Sequence, residues 1–238
     1  MSLVAGKNGA LYLAQYDISG KVNRFEPSLS RPLTDVTCMQ ATGHAWAPTL
    51  HDDSLSFDGF YESDTDIITI LNSMRTATAV TLCSLSMGIT QGKSAISGEG
   101  AWSEDYPIDI PVDDIIRVTG SFKFHGLARA GYVLQAKATQ TADGSGTAVD
   151  DGAASSAGAE AYLHVFACDV PDLVIKVQTD TAADFGSPTD LITFTTVTGA
   201  TSERKTVTGA VEEFVRVNYA GTWTGAKTAS FAVIWARL

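Results

Sequence analysis

Gly88, Gly92, Lys93 and Ser94 occur in the order of a phosphate-binding loop, in which backbone N–H groups of a glycine turn and a lysine would cradle a phosphate. The spacing is short by one residue, because the first glycine would have to stand at Met87. No amphipathic helix follows to aim its N-terminus at an anion, so a nucleotide site is not expected. His44, His51, His125 and His164 are scattered, and His125 beside Lys123 reads as a solvated strand side chain and not as a base or ligand. Asp52, Asp53, Asp58, Glu62, Asp64 and Asp66 are crowded oxygen ligands of the kind calcium takes, without EF-hand spacing. A strand end followed by a helix start would put them on different faces, so capping and solvation explain them better. Asp143, Asp150 and Asp151 lie in a Gly-rich join and read either as loop residues or as ligands to a loop-ordering calcium. No Ser–His–acid grouping, nucleophile elbow or metal-binding His pair is present, so neither an enzyme nor a cofactor is expected.

The elements that would position these groups are mostly strands. Leu55, Phe57 and Gly59 alternate with Ser54, Ser56 and Asp58, the period-two pattern of a half-buried strand. A helix is expected over 64–75, capped by Ser63, with Asp64 and Asp66 in its first turn. Its apolar stripe is Ile67, Ile68, Ile70, Leu71 and Met74. Ile116, Val118, Gly120, Phe122 and Phe124 alternate with Arg117, Thr119, Ser121, Lys123 and His125, and Gly120 in mid-strand implies a bulge or a close backbone approach. A hairpin is expected over 11–23 with its turn at Asp17–Gly20. Thr34 to Cys38 reads as extended, Ala41 to Pro48 as a long loop, Ala79 to Met87 as a strand, and Gly88 to Asp105 as a flexible hairpin or loop. Thr139 to Ala159 is low in complexity and reads as a join. Short strands then recur near 162–167, 173–178, 191–197, 213–219 and 228–236 without a helix between them, which indicates an antiparallel sandwich or jelly roll.

The chain has 238 residues, 45% of them hydrophobic and 18% charged, and a formal charge of -11. Such a surface repels phosphate, which argues against tight nucleic-acid binding or docking on an anionic membrane. Cys38, Cys83 and Cys168 are too far apart in sequence for a zinc site and read as reduced, mostly buried thiols. The N-terminus lacks a signal peptide's basic and apolar regions, and no apolar run is long enough for a membrane span. A soluble protein assembled inside a cell, with no membrane insertion, is therefore expected.

The first 130 residues carry an ordered series: Ile18-Ser19-Gly20-Lys21-Val22-Asn23, Leu33-Thr34-Asp35-Val36-Thr37, Leu55-Ser56-Phe57-Asp58-Gly59-Phe60-Tyr61, the helix, and Val118-Thr119-Gly120-Ser121-Phe122. This series resembles the major tail protein, the tail-tube subunit of long-tailed, non-contractile bacteriophages. The pattern departs after Thr37, where such proteins often continue with a short Thr, Phe, Gly and Asp-like stretch and a plain loop, and Cys38 to Trp46 is different. The resemblance implies a mainly β fold: an N-terminal tail-tube-like β-sandwich or barrel with one flanking α-helix over 1–130, and a C-terminal antiparallel β-sandwich over 131–238, of which 131–160 is partly join. It implies hexameric rings stacked into a tube through which DNA passes without specific binding. Tape-measure and tail-end proteins would be the partners, and the virion, assembled in the host cytoplasm, the location. Asp35, Thr37, His44, Trp46, Lys93 and Trp102 become candidate inter-subunit contacts, on the loops Met39–Pro48 and Gly88–Asp105. The C-terminal domain, displayed outside the tube, would give reinforcement or weak adhesion to cell-surface carbohydrate. Trp223, in a Gly-Thr turn, is the candidate sugar contact, while Trp235 reads as core. The alternative is a carbohydrate-binding β-sandwich module that forms no tube.

Overall fold

The computed structural model describes residues 8–61, 67–76, 80–102 and 107–238, and excludes the side chains of 101 and 102. In chain order come β1 (Ala10–Leu13), β2 (Tyr16–Asp17), β3 (Val22–Ser28), β4 (Leu33–Asp35), β5 (Trp46–Pro48), β6 (Ser54–Phe60) and helix α1 (Ile67–Arg75). Then follow β7 (Thr81–Ser86), β8 (Ser94–Trp102), β9 (Ile108–Asp109), β10 (Arg117–Phe124), β11 (Arg129–Gln140), β12 (Gly144–Ser145) and β13 (Val149–Asp150). The last strands are β14 (Ala159–Cys168), β15 (Val174–Asp180), β16 (Thr189–Thr193), β17 (Thr201–Val207), β18 (Phe214–Ala220) and β19 (Ala229–Arg237). The fold is mainly β with one α-helix among the described residues, as the residue patterns indicate.

The chain divides into two compact units that are not consecutive in sequence. Unit 1 comprises 1–19, 82–97 and 129–238, and unit 2 comprises 20–81 and 98–128. The boundary expected at 130 lies beside the 128/129 join, but the segments before 20 and over 82–97 cluster with the later strands. The cause is packing. Ala10 and Tyr12 of β1 bury against Ala232, and Leu82 and Ala95 bury with Val133, Tyr162 and Ile234.

In unit 2, β6 lies between β3 and β10 in antiparallel register, and β9 and the second half of β8 also pair with β10. Leu55, Phe57 and Gly59 on β6 and Val118, Gly120, Phe122 and Phe124 on β10 are buried, so both expected alternations hold. Gly120 stands opposite Phe57, and a Cβ there would come within 2.5 Å of the ring. The mid-strand glycine therefore marks a close approach. On α1, Ile67, Ile70, Leu71 and Met74 are buried at i, i+3, i+4 and i+7, while Ile68 is only half-buried. The expected cap at Ser63 and the acidic first turn fall outside the described residues.

Unit 1 is a two-sheet sandwich. One sheet runs β17-β14-β19-β11 and continues to the first half of β8; the other runs β12-β18-β15-β16, with β13 also on β18. Leu163, Val165, Phe231, Val233 and Trp235 of the first sheet and Ile175, Val177, Val215 and Val217 of the second share one buried cluster.

Four local expectations are corrected. The N-terminal hairpin turns at Ala14, whose φ is +47°, and returns along β2; Asp17 then accepts a hydrogen bond from Ser19 N at 3.0 Å and starts a 3-10 turn over Ser19–Lys21. Gly88–Asp105 is not a loop throughout. It contains β8, whose glycines admit close neighbours: a Cβ at Gly100 would lie 2.0 Å from the Lys123 carbonyl oxygen. The 139–159 join is partly sheet, since β12 and β13 pair with β18. Cys38 is exposed, whereas Cys83 is buried and Cys168 is partly so.

Candidate functional site

Asp35, Thr37, His44 and Trp46, separated in sequence by up to eleven residues, meet at the end of one hairpin arm. Strands β4 and β5 pair only with each other among the described residues, matching Leu33 with Pro48 and Asp35 with Trp46. Local chemistry closes the tip. Val36 N donates to the Ala45 carbonyl at 2.8 Å, and Ala41 N donates to the Cys38 carbonyl at 3.1 Å. Gln40 sits between with a φ of +80°, as the third residue of a tight turn requires. The Asp35 carboxylate accepts bonds from Thr37 N at 2.8 Å and from the Thr37 hydroxyl, and it pairs with His44 Nδ1 at 3.1 Å. The Thr37 hydroxyl oxygen in turn accepts from Ala45 N at 2.9 Å. Those bonds, first from the Thr37 side chain, then from its backbone, with His44 adding to them, hold the Asp35 carboxyl below the usual carboxylate range. The His44 and Trp46 rings lie 6.1 Å apart between centroids.

The base of the arm is tied down by Asp53. This carboxylate is buried; it accepts from Ser30 N at 2.9 Å with one oxygen and from Ala128 N at 2.8 Å with the other. Its carbonyl accepts from Phe124 N at 3.0 Å. Arg31 Nε donates to the Thr49 carbonyl at 2.9 Å across the stem. Neighbouring Asp52 pairs with Lys123 at 2.7 Å, and Asp58 accepts from the Thr119 hydroxyl at 3.2 Å. Among the described acidic residues of this crowd, then, each has its own structural partner.

Large apolar side chains along the arm are exposed. Met39 is 96% exposed, Leu50 87% and Trp46 57%, and Leu33 and Val36 are also exposed. Large apolar side chains exposed at several positions of one segment are of the kind that partner-binding surfaces use.

The other candidates are not part of this arm. Lys93 belongs to unit 1, in the β7–β8 turn, where its N–H donates to the Thr90 carbonyl at 3.3 Å. Trp102 ends β8, and its side chain lies outside the described residues. Trp223 packs partly buried against the sandwich core, and its indole N–H donates to Asp143 at 2.6 Å. Asp143 and Asp151 are structural anchors of the Gly-rich join: Asp143 also accepts from Gly221 N at 2.8 Å, and Asp151 accepts from Trp235 Nε1 at 2.8 Å and Arg237 Nε at 2.7 Å. Trp235 is fully buried.

Two polar clusters escaped the sequence reading. Glu160 is buried between Arg129 at 3.1 Å and Arg204 at 3.0 Å and accepts from the Tyr162 hydroxyl at 2.5 Å. His164 is buried with Nδ1 2.7 Å from the Ala14 carbonyl and Nε2 2.8 Å from the Ser84 hydroxyl, which also accepts from Ser97 at 2.7 Å. Because a carbonyl only accepts, Nδ1 carries the proton and Nε2 accepts from Ser84. This enclosed Ser–His pair fastens the β1–β2 turn to β14 and β7.

No family model matches the chain, and no curated protein does. Two solved phage structures are similar to it. The Dit protein (gp 19.1) of SPP1, described as a paradigm of the hub adsorption apparatus in phages infecting Gram-positive bacteria, aligns over 96% of this chain and 99% of its own at 13% identity, with a TM-score of 0.41. The SPP1 tail tube aligns over 53% of this chain and 78% of its own at 9% identity, with a TM-score of 0.42.

Proposed function

We propose that this chain is a structural subunit of a bacteriophage tail, which associates with copies of itself through the hairpin arm formed by residues 29–50. The observation that carries the reading is the arm itself: a hairpin paired with no other described strand, fixed at its base by Asp53 and ordered at its tip by Asp35 and Thr37, yet leaving Leu33, Val36, Met39, Trp46 and Leu50 exposed. An arm anchored in this way suits head-to-tail assembly, in which each copy inserts one surface into a different surface of the next and the rotation closes a ring. The resemblance of the ordered series to tail-tube subunits supports hexameric rings stacked into a tube. The formal charge of -11 suits a conduit that does not retain DNA. Among the described residues strand β3 pairs only with β6, which leaves an open edge, but Pro27 and a register shift between Val22 and Arg24 blunt it. The arm is therefore the better docking element. For the unit 1 sandwich, reinforcement is favoured over sugar binding, because Trp223 is engaged by Asp143 and the core.

Sedimentation velocity on the full chain tests the reading. Concentration-dependent assembly is expected, and Met39→Asp with Leu50→Asp should reduce it to monomer while leaving the circular dichroism spectrum and Tm unchanged. A double variant that assembles as well as the parent would exclude the arm as the interface.

A further inference from the structure

The polar side of the unit 2 sheet is hollowed where β3, β6, β10 and β9 run side by side. Asp58 and Phe60 on β6 stand opposite Thr119 and Arg117 on β10, and Arg117 stands opposite Asp109 on β9. The two-residue period therefore puts these five side chains on one face, turned away from buried Phe57, Gly59 and Val118. Asn23 joins them through a bulge in β3. Val22 pairs with Gly59 and Arg24 with Asp58, which leaves Asn23 as the extra residue, and a bulge re-aims the side chain it carries. Together these residues line a cavity of about 250 Å³ that reaches across four strands, a span of about 14 Å.

We infer that this cavity binds one neutral sugar ring of a glycan. The mixed lining selects the charge of the ligand. An anion would meet the Asp58 and Asp109 carboxylates, and an organic cation would meet the Arg117 guanidinium. Among the described residues no group of three or more His, Cys, Asp or Glu is placed to hold a metal ion. A sugar hydroxyl both donates and accepts, so it uses carboxylates, guanidinium and amide together, while the C–H face of the ring rests on an aromatic side chain such as Phe60. The groups have capacity to spare. Asp58 accepts one bond from the Thr119 hydroxyl at 3.2 Å, Arg117 has one ion pair, with Asp114 at 3.2 Å, and the Asn23 and Asp109 side chains have no polar partner among the described residues. The volume lies just below the roughly 300–1,000 Å³ of sites for drug-sized ligands, as one ring requires. This inference does not depend on the self-assembly reading, and the site is separate from the Trp223 turn, which belongs to unit 1.

Saturation-transfer difference NMR on the full chain tests the assignment. The probes are the methyl glycosides of glucose, galactose, mannose and N-acetylglucosamine, with glucuronate and protonated glucosamine as charged counterparts. At least one neutral glycoside should bind with a Kd on the order of 1 mM, as a ligand of this size allows, and both charged sugars should bind more weakly than it does. Asn23→Ala and Asp109→Ala change exposed side chains, so folding should be unaffected, and each should weaken that binding roughly tenfold. Phe60→Leu, which keeps an apolar side chain but removes the ring, should weaken it as well, whereas Trp223→Phe should leave it unchanged. Binding by none of the neutral glycosides would overturn the inference. Binding that survives both Asn23→Ala and Asp109→Ala, or that is lost in Trp223→Phe, would overturn the location, and tighter binding of glucuronate or glucosamine than of every neutral glycoside would overturn the choice of ligand.

Discussion

Acidification should remove stability from unit 1 through one buried imidazole. Burial pushes the pKa of His164 down from 6.5 to about 4, against the opposing pull of the Ala14 carbonyl and the Asp17 charge. Asp17, itself paired with Lys137 at 2.6 Å, is the charged group facing this ring, and Tyr12 packs 5.5 Å from it between centroids. The sign follows from which state binds the proton. Above pH 6.5 the ring is neutral in both states, and between 6.5 and about 4 only the unfolded chain is protonated, so stability falls as pH falls through that window. At about 1.4 kcal/mol per unit, the full loss is about 3 kcal/mol, and about 2.5 kcal/mol of it is reached by about pH 4.5. His164→Gln is the informative variant, since an amide can donate to the Ala14 carbonyl and accept from Ser84 but does not titrate. Urea unfolding of both proteins, followed by circular dichroism at about pH 7.5 and about pH 4.5, isolates the effect. Asp35, Asp172, Asp180 and Asp190, which hydrogen bonds hold low, act equally in both proteins and cancel. The variant should start less stable and lose about 2.5 kcal/mol less on acidification. Parallel losses in the two proteins would refute the assignment of the acid sensitivity to His164.

Three further outcomes follow from packing. Leu71→Asp places an unpaired charge beneath α1 and should cost more than about 4 kcal/mol, seen as loss of soluble folded protein, whereas Ile68→Asp at a half-buried position should be milder. Gly120→Ala drives a methyl into the Phe57 ring and should lower stability by about 1–3 kcal/mol in urea melts, with Phe57→Leu on the same chain restoring part of it. Trp223→Ala should lower the Tm of the sandwich by removing a ring packed on its core and the bond to Asp143; glycan binding that disappears in Trp223→Phe, which keeps the packing, would instead favour a sugar site.

What the sequence made legible is what local periodicity encodes. The stripe at Ile67, Ile70, Leu71 and Met74 and the alternation on β6 and β10 are one-dimensional signals, and they locate the helix and the strands it accompanies. Strand β17 left no such signal. Thr-Ser-Glu-Arg-Lys-Thr-Val is polar on both faces, as suits a strand whose one described partner is β14, and its place comes from that partner. Strand β8 was hidden by its glycines, which look like flexibility until Lys123 and Phe124 are seen pressed against them. The contact candidates fared unevenly for the same reason. Asp35, Thr37, His44 and Trp46 converge because one hairpin joins them, while Lys93 and Trp223 sit in turns whose surroundings are set by distant strands. Asp53 resembled one more surface carboxylate because its donor at Ala128 is 75 residues away, and His164 looked isolated because the Ala14 carbonyl is 150 residues away.

Negative-stain electron microscopy of the purified, concentrated full chain addresses self-assembly most directly. Closed rings of uniform diameter, some stacked end to end, are predicted, and they should vanish for Met39→Asp with Leu50→Asp. A field of single particles the size of one subunit at every concentration, with the arm intact, would contradict the account.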